Sequence, residues 1–159
     1  MNKRKVTDIR ARQNVRGGFH RVFYAIAAVL SLVGLADAIY LTVEHLVGET
    51  ARCIVARGCS EVLGSKYATV GPVPLAAFGA LAYFAAFSSA TLSAFEYRRV
   101  QTFLMLLVQG MFAVTLWLLL VQAFVVHAFC DYCLLSAVLT LLLTAAVFVA
   151  NISAQRTSA

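Results

Sequence analysis

Four long apolar stretches dominate this chain, and its polar residues collect at the two ends and in the gaps. Val22 to about Val47, Val73 to Phe95, Val100 to Val126 and Cys130 to Ile152 each supply the roughly 20 mostly apolar residues that a helix needs to cross bilayer hydrocarbon. The first stretch also admits a signal-peptide reading, because Ala36-Asp37-Ala38 resembles a small-x-small cleavage site. Its apolar character resumes through Ile39-Tyr40-Leu41, so a retained helix is expected. The second stretch is rich in Ala, Gly and Ser, which let helices approach closely in lipid. The pattern predicts an all-α integral membrane protein, a four-transmembrane-helix bundle over residues 22–152.

Residues 1–21, basic and interrupted by Gly17-Gly18, read as a polar tail that is disordered until it meets the membrane. Residues 48–72 form the sizeable polar loop. Within it Ser60 to Tyr67 reads as a short interfacial helix, and Gly71-Pro72-Val73-Pro74 breaks the chain and starts the second span. Glu96-Tyr97-Arg98-Arg99 is a charged turn, and residues 153–159 are a short tail. No separate soluble domain is expected.

Composition strengthens the membrane reading. The chain is 62% hydrophobic and 13% charged, with a mean hydropathy of +0.85, whereas soluble domains average about 45–50% apolar and about 25% charged residues. The net charge of +6 does not indicate nucleic-acid binding, because seven of the thirteen basic residues precede position 22, where they mark topology. With four spans, the seven basic residues of the N-terminal tail join Arg98, Arg99 and Arg156 on one side, against Arg52, Arg57 and Lys66 on the other. That bias places both termini in the cytoplasm. All four cysteines then fall at the outer face: Cys53 and Cys59 in the first outer loop, Cys130 and Cys133 at the outer end of the fourth span.

Candidate chemistry follows from that sorting. Cys130 and Cys133 are three apart at a helix start, which puts their Cα atoms roughly 5 Å apart, within disulfide range. The positive end of the helix dipole favours thiolate there. Haem attachment would require His next, and Leu134 stands in that place. A metal site is not expected, since zinc spacing asks for two close pairs and five residues separate Cys53 from Cys59. A purely structural staple does not need a pair at the membrane boundary on a helix start. Thiol–disulfide exchange between the two pairs does. Sustained turnover requires an electron sink, and with no dinucleotide or haem motif, a lipid-dissolved quinone against the outer end of the fourth span is expected.

Other residues are weighed against plainer roles. Asp37 lies about nine residues, roughly 13 Å, from the outer end of the first span, where a charge is expensive. It reads either as a hydrogen-bonded structural group or as a proton relay or quinone contact. Asp131 raises the thiol pKa by charge repulsion, and capping of the helix start explains it more simply. His127 is a candidate proton carrier or an ordinary interfacial histidine. Phe78, Phe129 and Tyr132 are candidates to line the quinone or to anchor at the interface. Ser60 caps a local turn or supports catalysis.

The run Cys59-Ser60-Glu61-Val62-Leu63-Gly64-Ser65-Lys66-Tyr67-Ala68-Thr69, then Val70-Gly71-Pro72-Val73-Pro74-Leu75, Gly79 and Tyr83, resembles the vitamin K epoxide reductase family. So do Tyr40-Leu41-Thr42 closing the first span and the later C-x-x-C opening the fourth. The resemblance covers nearly all of residues 22–150. DsbB-type oxidases do similar chemistry but carry their C-x-x-C in the first outer loop, so the cysteine order argues against them. The resemblance implies four helices around a quinone (ubiquinone or menaquinone), in a bacterial cytoplasmic (inner) membrane. It also implies a separate thioredoxin-like (DsbA-like) periplasmic partner, because the thioredoxin-like domain fused to some relatives is missing. The implied relay begins with the reduced partner attacking a Cys53–Cys59 disulfide. The loop pair then reduces Cys130–Cys133, most plausibly at Cys130, and Cys133 donates to quinone. The positions where some relatives hold the quinone oxygens with a polar pair align near Leu75 and Ala137, both apolar. The alternative from another class is a non-enzymatic membrane adaptor with a disulfide-stapled outer loop.

Overall fold

A computed structural model describes residues 3–47, 59–65, 68–94 and 97–155. In chain order it contains helix α1 (Lys3–Val47), short helix α2 (Cys59–Leu63), strands β1 (Thr69–Val70) and β2 (Val73–Pro74), and helices α3 (Leu75–Ser93), α4 (Arg98–Val121) and α5 (Asp131–Gln155). Among the described residues, four segments are long and apolar enough to span a bilayer: Arg21–Val47, Leu75–Ser93, Arg99–Val126 and Asp131–Ser153. Helix α1 packs on α3 and α5, and α4 packs on the same two helices. The four long helices therefore close a ring, with α1 and α4 on its diagonal.

Two expectations are corrected. The basic N-terminal stretch is helical from Lys3 rather than disordered, continuous with the first span. Its Lys, Arg, Gln and Ala are good helix formers, and an existing helix extends at one hydrogen bond per residue without a new nucleus. The loop helix is shorter than expected and begins earlier, at Cys59.

Small residues fill much of the helix seams, beside buried Tyr24, Leu104 and Leu143, while many large apolar side chains face outward. Ala27, Ser31, Ala38, Ala86, Ser89, Ala90 and Ser93 are buried, whereas Leu81, Leu106 and Phe124 are about 70% exposed. In lipid this arrangement is favourable, because close backbone packing replaces the hydrophobic drive between helices. The buried Ser31 hydroxyl donates to the Ala27 carbonyl at 2.8 Å, so it needs no partner on another helix. Tyr83 supplies a polar tie between α3 and α5. Its hydroxyl lies 2.9 Å from both Ser136 Oγ and Thr140 Oγ1 on α5.

The loop ahead of α3 is set by two residues. Gly71 takes a φ of 65°, the positive value a tight hairpin needs at its first central position, and β1 pairs antiparallel with β2 across it. Pro74 is the N-cap of α3 with φ −64°, an angle its ring imposes. The second helix therefore starts at Leu75, because Val73 and Pro74 are paired with Val70 and Thr69.

Candidate active site

The site lies at one end of the ring, where α1 finishes, α3 begins, α4 finishes and α5 begins. Helix α4 passes at its end into a π-helical turn, Gln122–Val126, and stops at His127, whose φ of 53° is left-handed. A π turn re-aims side chains relative to the preceding helix. The reversal at His127 returns the chain so that Ala128 and Cys130 are buried with Cys59 and Val62 of α2 in one cluster. Cys59 is disulfide-bonded, while Cys130 and Cys133 are free thiols. The fold thus packs one oxidised sulfur against a reduced pair. Cys53 lies outside the described residues, as does the side chain of Ser60.

Cys130 caps α5. Its carbonyl accepts the first helical bond, from Leu134 N–H at 3.0 Å, and its sulfur receives the N–H groups of Tyr132 and Cys133, the two donors an N-cap side chain serves. Asp131, expected as the cap, is instead the first helical residue, where its charge suits the positive helix end. The hydrogen bond from the Cys133 thiol lowers the Cys130 pKa most, and the backbone N–H groups add to it. Together they outweigh burial and the Asp131 carboxylate, so the thiol falls from its ordinary 9.0 to about 7. Thiolate absorbance of the reduced protein, corrected with Cys130→Ser, is therefore expected to rise through a midpoint near pH 7. In Cys133→Ala, which removes the largest cause, the midpoint moves up; a wild-type midpoint near 9 would contradict the capping geometry.

Gln122 completes the cradle. Its Oε1 accepts from the Cys130 N–H at 3.3 Å, and its side chain also reaches the Cys133 thiol. The sequence reading passed over this residue. The available signal was a lone amide near the end of an apolar span, which in lipid points inward.

Behind the thiols lies a cavity of about 160 Å³. Helix α1 lines it with Asp37, Ala38, Leu41 and His45, and the loop with Val62, Leu63, Ser65 and Ala68. Helix α3 and its cap contribute Pro74, Leu75, Ala76, Gly79 and Tyr83. The far wall is Thr115, Leu118, Leu119, Val121, Gln122 and Val126, with Cys133 and Ser136 from α5. Of the residues singled out from sequence, the cavity brings together Cys133, Asp37 and Leu75. Phe78 and Phe129 are exposed and lie outside its lining, as do Ala137 and Tyr132. Tyr132 stacks at a tilt on Tyr40, ring centroids 5.2 Å apart, which ties the start of α5 to α1. His127 is exposed and off the cavity; its contribution is the backbone reversal. Among the described residues no cluster of His, Cys, Asp or Glu could hold a metal ion.

The chain matches the family described as the vitamin K epoxide reductase family over residues 25–148, a range that contains all four cysteines. No curated protein matches it significantly.

Proposed function

This chain belongs to the vitamin K epoxide reductase family of quinone-linked membrane thiol–disulfide oxidoreductases, and we propose that it forms disulfides by oxidising a separate thioredoxin-like protein. The observation that carries this reading is the burial of disulfide-bonded Cys59 in one cluster with the free thiol Cys130. A merely stapled loop gives no reason for a low-pKa thiol to be packed against the staple.

The relay runs through three balanced exchanges. A partner dithiolate attacks the Cys53–Cys59 bond, leaves as a disulfide and leaves two loop thiols behind. Cys59 is buried, which favours Cys53 as the cysteine the partner meets. A Cys59 thiolate then attacks Cys130 of the Cys130–Cys133 disulfide, and Cys53 resolves that mixed disulfide, restoring the loop bond and releasing two thiols on α5. Finally Cys130 and Cys133 close their own disulfide as two electrons and two protons leave. A bound quinone, ubiquinone or menaquinone, would supply the two-electron sink.

The cavity fits such a ring. A cavity of about 150 Å³ with apolar walls admits benzene, and this one is about 160 Å³, mostly apolar, with Cys133 in its wall. Leu75 lines it but offers no hydrogen bond, and Ala137 is off the lining; the polar side chains of the lining include Asp37, His45, Thr115 and Gln122. The positive-inside bias supports an inner-membrane orientation with both termini cytoplasmic and the cysteine end facing the periplasm.

The test is direct. Purified in detergent with a quinone and a reduced thioredoxin-like protein, the chain is expected to bleach the quinone absorbance with one partner disulfide formed per quinone consumed. A non-enzymatic adaptor leaves both unchanged.

A further inference from the structure

Among the described residues, two buried side-chain oxygens have no hydrogen-bond partner: Asp37 Oδ2 and Ser93 Oγ. Ser93 ends α3 and is off the cavity; Asp37 lines it. Leaving a buried carboxyl oxygen unpaired is costlier than leaving a hydroxyl so, and no Lys or Arg lines the cavity to compensate. The structural alternative for Asp37 requires a hydrogen bond at that oxygen, and none is made.

Among the other polar groups of the cavity lining, Tyr83 and Gln122 are already engaged and Cys133 is a redox group. Tyr83 of α3 gives its hydroxyl to Ser136 and Thr140. Gln122, in the π-helical turn that follows α4, accepts from the Cys130 N–H. Cys133 of α5 lines the same cavity as Asp37. On α1 itself, Asp37, Leu41 and His45 recur at four-residue spacing along the cavity face.

Building on the quinone-reducing function argued above, we propose that Asp37 carries the Cys133 proton to an oxygen of the quinone bound in this cavity. In the full step two S–H bonds break, one S–S bond forms, and two O–H bonds form on the acceptor. One proton travels from Cys133 Sγ through the unpaired Asp37 oxygen. The other, released by Cys130 to outer water, returns to the second oxygen by the His45 side of the cavity. A carboxyl serves here because it can hydrogen-bond the ring oxygen and transfer a proton to it, whereas an amide can only hydrogen-bond.

The test compares wild type with Asp37→Asn and Asp37→Glu in single turnovers of the prereduced protein with a short-tailed ubiquinone analogue. Asp37→Asn is expected to bind the analogue within about threefold of wild type yet oxidise its dithiol about 100-fold more slowly, the scale of a lost proton-transfer group. It should also lose the solvent deuterium isotope effect, and Asp37→Glu should recover part of both. A second readout needs no turnover. In Cys133→Ser protein, binding of the analogue should shift a carboxyl stretching band in infrared difference spectra, and the added Asp37→Asn change should remove that band. A wild-type rate and isotope effect in Asp37→Asn, or a carboxyl band indifferent to the analogue, overturns the proposal. Should Asp37→Asn fail to fold, the infrared result in the Cys133→Ser protein decides alone. If prereduced wild type fails to reduce the analogue at all, it is the proposed function that has failed, and the Asp37 role falls with it.

Discussion

Cys133→Ala is expected to abolish quinone reduction, with partner capture confined to molecules that still hold the loop disulfide. Cys133 is the α5 thiol in the cavity wall, whereas Cys130 is fully buried on the side of Cys59. Without Cys133 no α5 disulfide can form, so the two electrons have no exit. Loss of a group that forms the covalent bond costs at least about 1,000-fold in rate. The variant should also accumulate a diagnostic bond. Cys130, with no neighbour to pair with, attacks the loop disulfide at Cys59, forming Cys59–Cys130 and freeing Cys53. Mass spectrometry of non-reduced peptides would detect that link. Quinone reduction at the wild-type rate, or absence of the link, would remove Cys133 and Cys130 from their assigned places.

Gly34→Ala should be the most damaging of the Gly→Ala changes in the described helices. A Cβ at Gly34 would land within the Tyr83 ring, 2.6 Å from Cζ, closer than real carbon contacts allow. The ring cannot swing aside cheaply, because its hydroxyl is held by Ser136 and Thr140 on another helix. Overpacking of this kind costs about 1–3 kcal/mol, and polar ties between membrane helices average about 0.6 kcal/mol each. A fall in Tm of roughly 5 °C or more is expected on the scaling for chains of this size, with weaker quinone binding because Tyr83 also lines the cavity. Gly110→Ala is the matched control. Nothing lies within 4 Å of a Cβ there, so its Tm should not fall. Equal melting of the two variants would show that the Gly34–Tyr83 contact is not tight.

How far the site could be read from sequence depended on whether a residue's place followed from chain order or from helix rotation. Span counting alone gathers Cys53, Cys59, Cys130 and Cys133 at one bundle end, and among the described residues Cys59 is buried with Cys130. Leu75 and Asp37 line the cavity, whereas Ala137 does not. Phe78 and Phe129 do not, although each is close in sequence to a cavity residue. On α3 the cavity face runs through Leu75, Gly79 and Tyr83, at helical spacing, and Phe78 turns away from it. Gln122 is placed by a π-helical turn that no apolar run announces.

Apolar run length by itself determined the number of spans, and basic-residue asymmetry with cysteine spacing pointed to the candidate site at the cysteine end of the bundle. These are one-dimensional quantities, governed by bilayer thickness and by residues close together in the chain. Only the tertiary structure decided that the Cys130 sulfur caps α5, that Gln122 accepts from the Cys130 N–H, and that Asp37 keeps an unpaired oxygen in the cavity that Cys133 lines. Each of these depends on how four helices rotate against one another. That rotation is set by contacts such as Gly34 with Tyr83, between residues far apart in sequence.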